Sequence, residues 1–421
     1  MKKLLCLCLA CLMLLTLGLP CACAASPDSY RDWTNVVQIL VLDSDDDYGL
    51  IGLRSNGTVL FDGPQDSEYA AAQDWTGVSR LELSGIGLLG YRADGTVLTT
   101  SSCDLSAWTN IRKVFYSWQS LTVFGLRYDG TIVAAPGPYR TQEELDADLA
   151  IWDLDSWSNV VAIYGAIGAE LIGLRSDGTL CFLIGTNSDT YTGWTGPQSL
   201  AYYAWGEPEN WTNIASFPSF SSDIPYALRS DGCVFGPGEW VEDHLVPLPP
   251  EEWHDITALY FTGGFDNAGL CIGLRGDGTV AIFDPERPER SDTQPDLEQI
   301  RSWTDIVQLA VGYYCLPVGL KADGTAAYVS VDREGKPNGL DLSEWTELKA
   351  VYRSMNAVFG LRVDGTVLFA CEDKDRAWVN EAYGVLDGWT NIDELIVLPG
   401  VWGNRVVGLR ADGTVVATPF T

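Results

Sequence analysis

Short apolar runs recur along this chain at nearly constant spacing, each broken by the same polar phrase. At 406–417 the order is Val-Val-Gly-Leu-Arg, then Ala-Asp-Gly-Thr, then Val-Val-Ala. Aliphatic and β-branched residues on both sides of an Asp-Gly pair predict two short strands joined by a tight turn. Nine copies occur, with turn glycines Gly57, Gly95, Gly130, Gly178, Gly232, Gly278, Gly324, Gly365 and Gly413, spaced about 44 residues apart on average. Glycine supplies the positive φ that the turn needs. Asn56 stands for Asp in the first copy and tolerates the same geometry. A two-residue loop and a three-residue loop with a glycine bulge both fit the phrase.

A second phrase, Trp-Thr-Asn-Ile or a variant, precedes each hairpin. Its tryptophans are Trp33, Trp75, Trp108, Trp157, Trp211, Trp253, Trp303, Trp345 and Trp389, nine of the sixteen in the chain. Their constant position assigns them a structural role. Another apolar run follows each one, as in Ile-Val-Gln-Leu-Ala-Val at 306–311. Each copy is therefore a unit of three or four antiparallel strands. One such sheet cannot cover both of its faces, so it must pack against the next copy. The glycine two before the arginine, as in Gly173 and Gly408, lies inside a predicted strand and admits close approach of a neighbouring side chain. Only Ala227 replaces it. The repeated arginine (Arg54, Arg92, Arg127, Arg175, Arg229, Arg275, Arg362 and Arg410, with Lys321 once) is expected to clip onto local carboxylates or carbonyls. Units of this size predict an all-β chain, a β-propeller closed into a ring, with an open solenoid as the alternative.

The stretch from Trp303 (Trp-Thr-Asp-Ile-Val-Gln-Leu-Ala) to Val318 (Val-Gly-Leu-Lys-Ala-Asp-Gly-Thr-Ala-Ala) resembles the repeat of the regulator of chromosome condensation (RCC1-like) family, closest to its bacterial, often exported, branch. The lead-in Leu-x-x-Trp at Leu105, Leu154, Leu342 and Leu386 fits the same repeat. The resemblance covers essentially all of residues 27–421. It implies a β-propeller, usually seven-bladed. Nine copies depart from that number, so a larger closed ring is expected, with a seven-bladed ring as the alternative. Many relatives carry a histidine before the Gly-Leu-Lys/Arg phrase and a Gly-x-Asn-x-x-Gly-Gln stretch after it. Neither is regular here, so functions tied to those positions do not transfer. The family includes intracellular exchange factors and an exported bacterial inhibitor of β-lactamase. An exchange role does not suit a secreted acidic chain, and inhibition of an extracellular enzyme has no residue-level match here.

The first residues change the picture of where such a scaffold works. Lys2 and Lys3 precede an uncharged apolar run, Leu4 to Leu19, and Ala22-Cys23-Ala24 offers a small-residue cleavage site. This predicts a signal peptide over 1–24 and a single repeat domain over 25–421. The run is short for a membrane-spanning helix, which wants about 20 apolar residues. The protein is expected to be secreted or associated with the cell surface, without a membrane anchor after signal removal, and monomeric. Loss of Lys2 and Lys3 takes the formal net charge from −31 to −33. That balance excludes nucleic acid as a partner, because phosphate backbones reward clustered Lys and Arg. It favours solubility and basic partners. Six cysteines remain: Cys103, Cys181, Cys233, Cys271, Cys315 and Cys371. Export permits disulfides, yet the spacings are wide and most lie in apolar runs, so buried thiols are expected.

Function should sit where the units differ. From repeat Trp to turn glycine is 20–25 residues, whereas from that glycine to the next Trp ranges from 13 to 33. Variable connections on a constant scaffold collect binding. The longest, 186–210, holds Tyr191, Trp194, Tyr202, Tyr203 and Trp205, the candidate partner-binding residues. A second opens with Thr141 three before Glu144, a capping-box signature, with Leu145 and Leu149 at helical spacing. Asp-Ser-Asp-Asp-Asp at 43–47 lacks the glycine and glutamate of a calcium loop, since Tyr48 and Arg54 stand there. Arg275-Gly276-Asp277 is an adhesion tripeptide, and also the repeat phrase with glycine in its free position. The proline- and charge-rich 283–299 predicts an exposed loop.

Catalysis has little to build on. His244 and His254 are the only histidines, and no Cys-x-x-Cys lies beyond the leader. Among fifty-seven carboxylates a close acid pair is unavoidable, so it carries no signal. No catalytic residue, metal site or cofactor is expected. The reading is an exported, non-catalytic scaffold that binds an extracellular protein through one loop-bearing face. A polysaccharide- or cell-wall-binding protein and a carboxylate-dependent hydrolase are the alternatives.

Overall fold

The computed structural model describes residues 29–43, 48–166, 169–183, 211–217, 226–235, 238–241, 244–247, 253–262, 270–283, 295–312, 315–332, 334–354, 357–371, 383–397 and 405–418. Within them the chain is mostly β. Each of the nine sequence copies forms one three-stranded antiparallel sheet, its strands adjacent in chain order. The first pairs Val36–Asp43, Tyr48–Arg54 and Val59–Asp62. A tenth sheet of two strands, Gly238–Val241 and His244–Pro247, lies in a connection and was not foreseen.

The hairpin is the three-residue form. Gly57 N donates to Arg54 O, and Arg54 N donates to Thr58 O, leaving Ser55, Asn56 and Gly57 as the loop. Gly57 has φ +81°, and all nine turn glycines lie between +77° and +81°. In eight units the residue before Gly accepts from the threonine after it: Asp94 Oδ1 takes Thr96 Oγ1 at 2.7 Å and Thr96 N at 2.9 Å; in the fifth, Cys233 N donates to Asp231 Oδ1 at 3.1 Å. Asn56 does the same for Thr58.

The strand glycine does what its position predicts. A Cβ on Gly52 would fall 2.7 Å from the Trp33 ring, and one on Gly360 2.8 Å from the Trp345 ring. In both, the close neighbour is the unit's own repeat tryptophan. Each repeat tryptophan is buried except Trp75, which is half-buried. The tryptophan is itself held by its lead-in: Trp108 N donates to Leu105 O, and Trp303 N to Ile300 O.

Units join through that same hairpin. The first strand of each unit begins with an N–H that donates to the turn-glycine carbonyl of the preceding unit, at 2.9–3.2 Å. Val78 thus bonds Gly57, and Ile392 bonds Gly365. Further along, the Gln38 amide both donates to Leu81 O and accepts from Leu81 N, and Gln308 repeats the pattern on Val351. These side chains satisfy backbone groups of the neighbouring first strand. The core is divided accordingly. Each apolar cluster joins the back of one unit to the front of the next, as Leu89, Tyr91 and Val97 meet Ile111, Val114 and Val123. The last unit meets the first in the same way: Val36 N donates to Gly413 O at 3.1 Å, and Val407, Leu409 and Val415 pack with Trp33, Val36 and Ile39.

One backbone requirement escaped the sequence reading. The third residue of the Trp-Thr-Asn phrase is left-handed in every unit, from Asn35 (φ 59°) to Asn391 (φ 58°), with Gly77 (φ 70°) in the second. Asparagine tolerates this; Glu347 (φ 59°) does not do so readily. We expect Glu347→Asn to stabilise the protein by about 0.5–1 kcal/mol, read as a raised thermal midpoint. An unchanged or lowered midpoint would contradict the strain.

Two sequence readings are settled and one is corrected. The helix Gln142–Leu149 has the full capping box, with Thr141 N donating to Glu144 Oε2 at 2.8 Å and Glu144 N to Thr141 Oγ1. The arginine clips a carbonyl in several units: Arg362 Nε donates to Thr346 O and Arg410 Nε to Thr390 O, both at 3.1 Å. The expected exposed loop at 283–299 is wrong at its described ends, Phe283, a buried strand residue, and 295–299. Pro295–Arg301 is helical, with Asp296, Leu297 and Ile300 buried. Ile300 occupies the lead-in slot three before Trp303, and burying it folds the turn that carries it.

Candidate functional site

The hairpin end of each unit is uniform in chemistry. Eight aspartates and nine arginines or lysines stand there and nearly cancel, so the strong negative charge lies elsewhere, chiefly in the connections. Each of these turn carboxylates accepts the turn's hydrogen bonds through Oδ1. The threonine hydroxyl and then its N–H hold Asp94, Asp129, Asp277 and Asp412 below the usual carboxylate range. Asp277 of the Arg-Gly-Asp tripeptide is thus one more turn acceptor, bonded to Thr279. A depressed folded-state value means stability that is complete above the unfolded value, near 3.9, and lost as pH falls through the folded one. The thermal midpoint should therefore drop below about pH 4. Changing several turn aspartates to asparagine should flatten that limb, since Asn56 shows that the amide keeps the bonds. An unaltered slope would exclude these groups.

The thiols are sequestered. The six cysteines form no disulfide; five are buried and Cys233 is half-buried. Burial pushes the Cys181 thiol up to about 11 and raises Cys271 as well. His254 is exposed and its Nδ1 lies 2.8 Å from Asp255 Oδ2. The side chain of His244 lies outside the description, though its backbone is paired. Among the described residues no cluster of His, Cys, Asp or Glu could hold a metal ion. No helix of the described residues is long and apolar enough to cross a membrane.

Tyr191, Trp194, Tyr202, Tyr203 and Trp205 all lie outside the described residues, as do residues 44–47 of the acidic stretch. The third unit carries a different pair of exposed aromatics. Seven tryptophans stand out of the repeat register; of the two whose side chains are described, Trp152 is buried and Trp118 is 67% exposed. Trp118 follows the first strand of the third unit, Ile111–Ser117, and Tyr139, 80% exposed, follows its third, Ile132–Pro136. The Tyr116 ring lies 4.8 Å from Trp118 in an edge-to-face contact, and Gly137, two residues before Tyr139, closes on the same ring, its added Cβ falling 2.6 Å from Tyr116 Cε2. Trp118 also covers Gly85 of the second unit, whose added Cβ would fall 3.1 Å from the indole. The site therefore straddles two units.

Its support is rigid. Arg140 donates to Ser120 O at 2.9 Å, to Thr122 Oγ1, to Glu144 O at 2.9 Å and to Asp148, and lies 5.6 Å over Trp152. One buried guanidinium thus ties the 118–121 loop to the helix Gln142–Leu149. Leu121 has φ 53°, the sole left-handed non-glycine residue outside the repeat phrase among the described residues. Gly137 N holds its carbonyl at 2.8 Å. The Tyr116 hydroxyl and Ser120 Oγ are buried without a hydrogen-bond partner among the described residues. The signal in the sequence is a tryptophan out of register in Ser-Trp-Gln-Ser at 117–120, in a loop far shorter than the one at 186–210.

No protein-family model and no curated protein matches the chain. Several solved structures are similar to it. The computationally designed Ika8 protein aligns at 15% identity over 93% of this chain and 98% of that one, with a TM-score of 0.37. BamB from Moraxella catarrhalis aligns at 12% over 81% and 96%, with a TM-score of 0.36. Prp20p from Saccharomyces cerevisiae, studied for its binding to Gsp1p and histones, aligns at 12% over 94% and 95%, with a TM-score of 0.34. The fold of this chain rests on its own hydrogen bonds and core.

Proposed function

We propose that this protein is an exported, non-catalytic β-propeller of RCC1-like units, its nine sheets closed into a ring, that binds an extracellular protein through its variable connections. The ring reading is supported by the ninth unit meeting the first through the bond and core contact that link every other pair. The observation that carries the function is the contrast between the parts of each unit. Nine hairpins repeat one self-satisfied design, whereas the connections differ in length and sequence. One of them, with the adjacent loop of its unit, presents two exposed aromatic rings on an immobilised support. Large exposed aromatics held in place lose little entropy on binding and are favoured interface anchors.

The test is capture of extracellular proteins, cell-wall material and insoluble glycans by residues 25–421. Two variants run beside it: Trp118→Ala/Tyr139→Ala, and a chain with 187–209 replaced by a Gly-Ser linker. A protein held by the intact chain and lost from either folded variant would support the reading and say which connection carries it. Retention of glycan alone would favour the polysaccharide binder. Turnover abolished by a single carboxylate change would favour the hydrolase. Capture of nothing would sink the binding role.

A further inference from the structure

The third unit's exposed pair has a chemistry that selects its partner. Trp118 and Tyr139 present two large rings whose faces are electron-rich, and an indole face is the best side-chain acceptor for a cation. The three connections 63–74, 100–107 and 137–156 hold ten carboxylates and one cation. That cation is Arg140, which is buried and spent on Ser120, Thr122, Glu144 and Asp148. Glu143 and Asp146, on the helix that follows Tyr139 directly, are exposed. No lysine or arginine in these connections is left to compete for the rings. Beneath them the Tyr116 hydroxyl and Ser120 Oγ, both able to accept, have no hydrogen-bond partner among the described residues.

We propose that Trp118 and Tyr139 form a docking site for a cationic segment of a protein partner. An arginine or lysine of that segment lies on the Trp118 ring, and Glu143 and Asp146 steer the segment in. This rests on the protein-binding reading above and narrows it to one site and one partner chemistry. Screening by salt weakens such a contact, whereas stacking of a neutral sugar on the same rings is insensitive to salt.

The probe is a fluorescein-labelled peptide of alternating arginine and serine, titrated into residues 25–421 and followed by anisotropy. The same peptide with glutamate for arginine, and a neutral N-acetylglucosamine hexamer, are the comparison ligands. Trp118→Ala/Tyr139→Ala should weaken the arginine peptide about tenfold or more, while circular dichroism and the thermal midpoint stay unchanged, since both side chains are exposed. Trp118→Phe should recover part of the loss. Glu143→Gln/Asp146→Asn should reduce the salt dependence. Equal binding by the aromatic double variant would mean that the acidic surface at large attracts the peptide, and would overturn the site. Trp118-dependent binding of the hexamer in preference to the peptide would overturn the partner chemistry in favour of a glycan. If no peptide binds but the capture experiment retains a protein in a Trp118-dependent way, the cationic assignment falls and the scaffold reading stands. If neither experiment retains anything, both fall.

Discussion

Gly413→Ala should destabilise the protein by about 3 kcal/mol, combining the cost of a left-handed non-glycine residue, ~1–2 kcal/mol, with that of forcing an atom into packed backbone, ~1–3 kcal/mol. Gly413 has φ +77°, and its added Cβ would stand 2.7 Å from Asn35 Cα and 2.8 Å from Asn35 N. These are main-chain atoms of the first unit and cannot rotate away. The same hairpin geometry provides a graded series. Gly324 has φ +80°, but its nearest neighbours are 3.4 Å away, so Gly324→Ala should cost only the conformational part, ~1–2 kcal/mol. Gly276 sits at an exposed hairpin tip without positive φ, 3.5 Å from Thr257 Cγ2, and its replacement by alanine should be neutral or slightly stabilising. Denaturant unfolding of the three variants gives the order. Equal losses at 413 and 324 would show that the approach between last and first units contributes nothing. If Gly413→Ala changes the denaturant slope as well as the midpoint, opening at that junction has become a separate step from global unfolding.

Trp33→Ala should cost about 3–5 kcal/mol, the range for emptying a large aromatic from a core. Trp33 is 5% exposed and packs with Tyr30, Val36, Ile39 and, from the last unit, Leu409 and Val415. Its partner Gly52 offers a sharper test. All three nearest atoms to a Cβ built on Gly52 belong to Trp33, at 2.7, 2.8 and 3.5 Å. Gly52→Ala should therefore cost ~1–3 kcal/mol by overpacking alone, with no φ penalty. In the Trp33→Ala background the obstacle is gone, and the same change should be nearly free. The two losses will then sum to more than the double variant shows, by roughly 1–2 kcal/mol, the size of coupling found between residues in contact. Strict additivity would mean that Gly52 is kept for its backbone and not for the indole.

Sequence alone determined the unit and its repetition. Nine Asp-Gly or Asn-Gly turns between β-prone runs specify hairpins because the turn chemistry is local: φ, one Asx acceptor and one threonine donor lie within five residues. The repeat tryptophans, the capping box at Thr141 and Glu144, and the buried thiols were legible for the same reason, since each depends on near neighbours or on burial of an apolar run. The left-handed residue after Trp-Thr was not legible, because Asn, Asp, Gly and Glu share the slot and only the approach of the preceding unit's glycine explains it. The helix at Pro295–Arg301 was hidden by prolines and charges upstream, although Ile300 and Trp303 held the register. The aromatic pair at Trp118 and Tyr139 was decided by tertiary structure entirely. The 118–121 loop and the connection that starts at Gly137 come together there because Ser117, Thr122 and Pro136 end the third unit's strands in one row and Arg140 binds both segments. Proximity between connections is a property of the sheet that carries them, and no local pattern along the chain encodes it.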